Sequence, residues 1–476
     1  MHHHSIHNQP KYPQKSDRSL TTCPIAYQAT LNPTTIAVQT DTNTLTYIEL
    51  HKRITYISLQ LFKLNMKKGD RLVSISENNL SLLLLQFTCL RNGFIFCPLN
   101  PKFSAIEMQQ RLTLLNSAFI WQPGDRNSLC LDFEANCDAP PLVDVHKIDP
   151  KTIINIIFTS GSSGDPKAVM HHFSNHYYSA LGSQRVIPLS SADNNLLSLP
   201  IFHISGYATV IRTILAGATL HISAVKITVA QLKIRNITHL SLVMSQLQTL
   251  LLSNQFQQSS LSIKHLLLGG SAFPKNILIK TRQRGFTYHL SYGSTEMASQ
   301  IATSTNNQDL QLLPYRQLKI IDNEIQVSGK TRFAGYFNGN SQSGLIDATY
   351  YFSSSDIGEF NAQTNTIKIM GRKDRQFISG GENIQPEEIE KILLTFPQLS
   401  QAYVLPIDDA EYGQRPIAFI KWHNSDQSDQ LRIFIKDKLL SFKHPLHYFK
   451  LPTQQGLKIN IKQLTALAHE FVRKKE

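Results

Sequence analysis

In the stretch FTSGSSGDPKAVMHH, Thr159-Ser160-Gly161-Ser162-Ser163-Gly164 is followed by Lys167. Hydroxyls, exposed backbone N–H groups and one ammonium on a tight turn are suited to hold a phosphate-type anion. The usual nucleotide P-loop runs straight into Gly-Lys-Ser/Thr. Here Pro166 stands directly before Lys167, and the nearest glycine is Gly164. The apolar run IINIIF before the loop reads as a strand, and PKAV follows it. That context favours an anion site over the alternative, a flexible Gly/Ser linker.

Three further stretches carry polar groups in suggestive patterns. In SYGSTEMAS, the turn Gly293-Ser294-Thr295-Glu296 offers a hydroxyl and a carboxylate to a metal or a phosphate; an ordinary strand–turn–helix cap is the alternative. In SSDIGEF, Asp356 can accept hydrogen bonds from ribose hydroxyls, and in IMGRKDRQFISGGENI, Arg372 can neutralise phosphate or hold the ribose. Gly380 and Gly381 permit a backbone closed to other residues. The alternative here is a hairpin with a surface ion pair and a tight turn. In LPTQQGLKINIKQL, Lys458 follows a Gly-bearing loop, and alone it would read as solvated surface.

The elements that must position these residues alternate. LTYIELHKRITYISLQLFKLNMKKGDRLVSI predicts an amphipathic helix, a Gly-Asp turn and a strand. Leu80 to Leu99 is too interrupted by Gln86, Arg91 and Asn92 for a membrane span and predicts a buried helix running into a strand. IINIIFT, LLSLP, LSLVM, HLLLGG and YHLSYG predict short strands that end in polar loops, the signature of an α/β sheet with a ligand crevice. After about residue 315, LKIIDNEIQVSG and TIKIMGRKD predict hairpins of a small β-rich subdomain. IQPEEIEKILLTF predicts a helix, with Pro386 in its first turn and Glu387, Glu388 and Glu390 near its positive end. AYVLPI, PIAFIKW and DQLRIFIKDKLL then complete a compact α+β tail.

Composition narrows the classes. The chain has 476 residues, 41% of them hydrophobic, enough for several buried cores. Its 47 Lys and Arg against 34 Asp and Glu give a net charge of +13, but they are scattered apart from the terminal RKKE. A solvated surface and anionic small substrates are expected, with no nucleic-acid partner and no stable membrane association. The five cysteines form no Cys-x-x-Cys pair, which argues against a disulfide framework or zinc site and fits a reducing cytoplasm. The opening MHHH is set aside.

The order of these stretches decides between the alternatives. Phosphate loop, Phe-His at 202–203, Tyr-Gly-Ser-Thr-Glu, Ser-Asp, Gly-Arg-Lys-Asp, Gly-Gly-Glu and the final lysine resemble the adenylate-forming superfamily of acyl-CoA synthetases, peptide-synthetase adenylation domains and luciferases. The resemblance runs from about Thr46 to Leu464. Within that superfamily, LLSLPIFHISG, LAGATL, LLLGGSAFP, GGENIQPEEIE and GQRPIAF are of the cast of o-succinylbenzoate–CoA ligases of menaquinone synthesis.

The resemblance implies an α/β protein with a large N-terminal domain of layered sheets plus a small β subdomain, residues 1–373, and a small mobile α+β domain, residues 374–476. It implies ATP, magnesium and coenzyme A, and a carboxylic acid activated as an acyl-adenylate. Thr159 to Lys167 would hold the β- and γ-phosphates, Thr295 and Glu296 the phosphate and magnesium, and Asp356 with Arg372 the ribose. Lys458 would bridge carboxylate and phosphate, His203 would gate the acid, Asp374 would be the hinge, and the Gly380–Gly381 loop would line a thiol tunnel. Arg212, Ser205 and Gln246 are candidates for the acid pocket, with Arg212 placed to anchor a second carboxylate; a helix-surface arginine is the alternative. The pattern departs from the superfamily at three places: Leu457 precedes the lysine, with Gly456 one step earlier, Ser355 stands where glycine is usual, and so does Ala168. Other aryl- or acyl-CoA ligases, a carrier-loading adenylation enzyme and a degenerate nucleotide binder are competing readings, and homo-oligomerisation is left open.

Overall fold

The computed structural model describes residues 19–134, 147–160, 166–271, 273–339, 345–347, 349–452 and 461–473. Near the N-terminus, Thr46 caps helix Tyr47–Lys63 in a reciprocal capping box with Glu49. Leu50, Ile54, Ile57 and Leu61 form its buried stripe. Gly69, at φ +89°, turns the chain into strand Arg71–Ile75. Leu80 to Leu99 is a helix, Leu80–Asn92, and a strand, Ile95–Leu99, separated at Gly93.

Two large sheets hold the site. The smaller has six strands among the described residues, in the order Gly335–Tyr336, Pro166–His172, Ile153–Ser160, Ile95–Leu99, Arg71–Ile75 and Phe119–Trp121. The larger has thirteen, and at its centre Asn194–Leu196, His239–Leu242, His265–Leu268 and Tyr288–Ser294 run parallel. Between them, helices Tyr47–Lys63, Leu80–Asn92, Phe173–Gln184 and Ile204–Leu215 share one apolar core with both sheets, reaching Leu72, Phe96 and Ile157 on one side and Val38 and Leu220 on the other. The segments that follow the C-terminal ends of the parallel strands carry His203, Gln246 in the first turn of helix Met244–Leu251, and Thr295, as expected for a crevice at that end of an α/β sheet.

Two expected strands are shorter than their apolar runs. Of LLSLP only Leu196 falls in the paired strand Asn194–Leu196; on one side Thr219–His221 ends opposite it, and on the other Ser198 meets the Ser241 carbonyl through its side chain. LSLVM stops at Leu242, and Val243 becomes the cap of helix Met244–Leu251, its N–H bonded to Gln246 Oε1 at 3.1 Å. The β-rich segment after residue 315 is hydrogen-bonded into the large sheet: Arg316–Ile321, Glu324–Gly329, Phe352–Asn361 and Thr366–Arg372 continue it through Leu310–Leu312.

Beyond Arg372, helix Pro386–Leu393 packs on the antiparallel pair Leu399–Asp409 and Gly413–Trp422, which Tyr448–Lys450 joins in parallel. Two apolar clusters draw all their members from Phe377 onwards. Among the described residues, no helix is long and apolar enough to cross a membrane. Cys23, Cys89, Cys97 and Cys130 are free thiols; Cys137 lies outside the described residues.

Neighbouring strands of the large sheet carry a ladder of histidines. His239 and His265 are register partners, the three rings of His239, His265 and His289 follow at 5.1 Å spacings, and His265 Nδ1 lies 2.9 Å from His289 Nε2. Asp193 and Lys264 flank the ladder as an ion pair of 2.6 Å. Burial pushes His239 and His289 down to about 4, and it also lowers His265. His171 and His221 are likewise held near 4 by burial, which also holds His176 well below the ordinary imidazole range.

An unfolded histidine titrates near 6.5, so between 6.5 and about 4 the unfolded chain binds the extra protons. Stability is then complete above pH 6.5 and falls as the pH drops towards 4. The slope is up to about 1.4 kcal/mol per pH unit for each such histidine. Urea unfolding followed across this range is expected to show it, and His289→Asn should remove about one proton's share of the slope.

Candidate active site

Strands Ile153–Ser160 and Pro166–His172 form an antiparallel hairpin, with Thr159 paired to Lys167. The loop residues Gly161, Ser162, Ser163 and Gly164 at its tip lie outside the described residues. Ser160 ends the first strand, and Thr159 is half-buried. Lys167 is exposed, with its Nζ 5.5 Å from the centre of the Tyr336 ring. Strand Gly335–Tyr336 adds to the edge of this hairpin, Tyr336 opposite Val169. From there the Tyr336 hydroxyl donates to Glu296 Oε1 at 3.0 Å.

The Glu296 turn is fastened to the hairpin by its backbone as well. The main-chain oxygen of Thr295 lies 2.7 Å from His171 Nε2, and that of Glu296 accepts from Phe333 N at 2.7 Å. Gly293 belongs to a bulge between Tyr288–Ser294 and Ser299–Thr305, where an added Cβ would lie 1.9 Å from the Ser299 carbonyl oxygen. Ser294 Oγ is buried with no hydrogen-bond partner among the described residues. The Glu296 carboxylate thus reaches the Tyr336 side chain whose ring lies beside Lys167, with Thr295 and the buried Ser294 hydroxyl next to it in sequence.

The second cluster is built on the pairing of Phe352–Asn361 with Thr366–Arg372, which sets Asp356 opposite Arg372. Asp356 Oδ2 accepts from the Tyr292 hydroxyl at 2.7 Å and Oδ1 from Arg372 Nη1 at 3.1 Å. Burial raises the Asp356 carboxyl above its ordinary range, while Tyr292 and Arg372 oppose the rise. Arg372 is bidentate on Asp374, Nε to Oδ1 at 3.0 Å and Nη2 to Oδ2 at 2.8 Å, and this raises the guanidinium value further.

Ser355 explains why glycine is usual before this aspartate. It sits at φ +60°, in the left-handed region, with its N–H on Glu324 Oε1 at 3.0 Å. The substitution keeps every chemical group but strains the backbone.

The acid-pocket candidates divide. Ser205, Thr209 and Arg212 follow i, i+4, i+7 along Ile204–Leu215 and share one face. His203 is exposed just before that helix, its ring edge-on to Phe202 at 4.9 Å. Arg212 is half-buried and bonds to two neutral acceptors, Gln300 Oε1 at 3.1 Å and Thr209 Oγ1 at 3.2 Å. Burial lowers it to about 10, so it stays charged at neutral pH. Among the described residues it forms no ion pair. It is therefore not the surface arginine of the alternative reading. Gln246 uses both ends of its amide on backbone, capping Val243 N and donating to Ser198 O at 3.0 Å, so its first role is to shape the loop.

Gly380 and Gly381, at φ +57° and +85°, make the two-residue turn between Phe377–Ser379 and Glu382–Ile384. Asp374 lies in the single turn Lys373–Arg375. Lys458 lies outside the described residues. Tyr336, Tyr292, His171, Gln300 and Glu324 have places in these clusters that the sequence reading did not assign. Two carry a local signal: Tyr336, in the small-residue turn AGYFNG, and Tyr292, inside the Tyr-Gly-Ser-Thr-Glu stretch itself.

Among the described residues no group of three or more His, Cys, Asp or Glu is placed to hold a metal on its own. One carboxylate beside a phosphate-binding hairpin is still the donor set that magnesium needs, because the ion takes most of its ligands from phosphates and water. Glu296 fits that part.

This arrangement is that of a nucleotide-activating enzyme. The model of the AMP-binding enzyme family matches residues 25–336, and the chain belongs to that family. Among curated relatives, the 2-succinylbenzoate–CoA ligase of Escherichia coli (strain K12) is 30% identical over 432 residues, covering 90% of this chain and 94% of that protein. The same-named protein of Haemophilus influenzae is 31% identical over 88% of this chain and 92% of its own length. Of solved structures, a variant of E. coli MenE with bound OSB-AMS superposes with TM-score 0.82 at 28% identity, covering 94% of this chain and 98% of that one. MenE from Bacillus subtilis in complex with ATP and magnesium ion gives TM-score 0.78 at 25% identity, covering 90% and 96%.

Ser355→Gly should relieve the left-handed strain at no cost to the site. The expected gain is about 0.5–1 kcal/mol after the extra freedom of the unfolded chain is subtracted. Urea melts would show a raised midpoint with an unchanged slope, and ATP binding should not move.

Proposed function

We propose that this chain is an ATP-dependent, AMP-forming 2-succinylbenzoate–CoA ligase of menaquinone biosynthesis, acting in the cytoplasm. The observation that supports the reading is that two clusters adjoin through strand Tyr288–Ser294, which carries Tyr292 of one and leads into the Thr295–Glu296 turn of the other. Lys167, Tyr336 and Glu296 offer a cation and an oriented carboxylate suited to a polyphosphate and its metal, and Asp356 with Arg372 offer an acceptor and a guanidinium suited to a ribose.

In the first half-reaction, a carboxylate oxygen of the acid attacks the α-phosphorus of ATP and the bond to pyrophosphate breaks, leaving an acyl-adenylate. Two anions must approach, so the site supplies positive charge and oriented donors where charge builds up. Thr159 to Gly164 and Lys167 hold the departing β- and γ-phosphates. Thr295 and Ser294 add hydroxyls. Glu296 would hold magnesium, which when bound neutralises charge on the triphosphate. The Asp356 carboxylate has lone pairs left beyond those used by Tyr292 and Arg372, and these accept the ribose hydroxyls. Lys458 is assigned the bridge between acid and phosphate oxygens.

In the second half-reaction, the sulfur of coenzyme A attacks the acyl carbon, AMP departs, and the thiol proton is released. We assign residues 374–476 to a body that turns about Asp374, withdrawing Lys458 and bringing the Gly380–Gly381 turn in to line the thiol path. The separate apolar clusters beyond Phe377 support that division.

Arg212 supports the choice of acid. A half-buried guanidinium whose partners among the described residues are neutral carries a charge left uncompensated there, and desolvating such a charge is costly. A diacid whose second carboxylate reaches Arg212 completes the pair, with His203 and Ser205 flanking the entrance.

ATP–pyrophosphate exchange should therefore proceed with 2-succinylbenzoate, and CoA should convert the adenylate to thioester; no exchange with any of a panel of acids would end the enzyme reading. Lys458→Ala should abolish exchange yet still convert supplied adenylate, whereas equal loss of both halves would count against the rotation. Arg212→Met should lower kcat/KM for 2-succinylbenzoate by roughly 30- to 1000-fold, the range for breaking a buried charge pair. The analogue lacking the ring carboxylate, 3-benzoylpropionate, should change less than about threefold, since it has no charge to lose.

A further inference from the structure

The turn that carries Thr295 and Glu296 is not relaxed. Ala298 and Ser299 follow it at φ +50° and +102°, both in the left-handed region that residues with a Cβ avoid. Such a backbone persists only where its surroundings hold it. The holders are the Phe333 N–H on Glu296 O, Ser179 Oγ on Ala298 O at 2.7 Å, and His171 on Thr295 O at 2.7 Å.

His171 differs from the other two because it comes from the phosphate hairpin itself. It lies four residues beyond Lys167 on strand Pro166–His172 and is fully buried. A carbonyl oxygen only accepts, so Nε2 must carry the proton, and Nδ1 has no partner among the described residues. The ring is fixed from behind. His176 stacks on it at 4.8 Å between centroids, and His176 Nε2 is bonded to Asn155 Oδ1 at 3.0 Å, on the other strand of the same hairpin. An apolar residue at 171 would leave the Thr295 carbonyl without this donor.

We propose that His171 is a positioning residue for the adenylation half-reaction: its Nε2–H locks the Thr295–Glu296 turn to the hairpin that holds the phosphates. The inference rests on the reading of that turn as the triphosphate side of the site. It makes this bond one of three ties that set Glu296 relative to Lys167, beside those from Tyr336 and Phe333, and the one that comes directly from the strand carrying Lys167. Asp356 and Arg372 lie on other strands, and Tyr292, on the strand that leads into the turn, is held by its own bond to Asp356, so the loss of the His171 bond is expected to fall first on the β- and γ-phosphates.

The test compares MgATP and AMP binding by calorimetry, together with the two half-reactions, in wild type, His171→Met, His171→Gln and Glu296→Gln. The glutamine at 171 places an amide N–H near the position of Nε2. His171→Met should weaken MgATP binding about tenfold, leave AMP binding and the conversion of supplied adenylate to thioester within twofold, and slow pyrophosphate exchange, while His171→Gln recovers most of the loss. If His171→Met does not fold, His171→Asn, whose amide stops at the Nδ1 position, takes its place. MgATP binding unchanged in the histidine variants but weakened in Glu296→Gln would overturn the proposal. So would equal loss of AMP and MgATP binding, or of both half-reactions. If Glu296→Gln itself leaves MgATP binding unchanged, the assignment of the turn fails instead, and the proposal goes with it.

Discussion

The Asp356 carboxylate is the interaction on which the arrangement depends. One oxygen takes the Tyr292 hydroxyl and the other takes Arg372, which in turn grips Asp374 with both remaining edges of its guanidinium. Tyr292 belongs to the strand that ends in the Thr295–Glu296 turn, so the relay runs from the nucleotide crevice to the start of the C-terminal elements without a gap. Each member is partly buried, and each is satisfied by the next. Such a chain is stable only when complete, because removing one member strands a charge in a region of low dielectric.

A parallel relay holds the phosphate side. Tyr336 lies between Lys167 and Glu296, opposing charges that would otherwise have no common scaffold. In both relays a tyrosine orients a carboxylate. The hydroxyl fixes direction without neutralising the acid, which keeps its charge available to a ligand. The mixed character of the sheets follows from this need. Parallel strands bring the loops to one end, and the antiparallel hairpins at the edges carry the paired residues that must face each other at fixed register.

Much of this was legible in the sequence, and the reason is local chemistry. Thr159 to Lys167, Gly293 to Glu296, Asp356 and Arg372 announce themselves because small residues, hydroxyls and charges cluster within a few positions. The helix Tyr47–Lys63 could be read from its apolar period, and Pro386 marked the start of another. What was not legible depends on register between distant strands. Tyr292, Tyr336 and His171 look like ordinary core residues until the sheets bring them to within 3.0 Å of a carboxylate or carbonyl. Gln246 misled for the opposite reason: a polar residue after a strand looks like a ligand group, yet its amide is taken up by backbone. The shortened strand at Asn194–Leu196 has the same origin, since the length of its neighbour cannot be read from its own residues.

Three residues after Arg372 stands a second arginine with the opposite allegiance. Arg375 reaches forward to Glu387 and Glu390 at 2.7 and 2.6 Å and to the Val404 carbonyl, as Arg372 reaches back to Asp356. Lys373 also reaches back, to Glu324 at 3.0 Å. The peptide between these opposed grips works like a swivel pin clamped at both ends. On the proposed rotation, the torsion between these two sets of contacts would fall at Asp374. The bond strained first would then be the bidentate one to Arg372, so the guanidinium that steadies Asp356 would also register the angle of the tail.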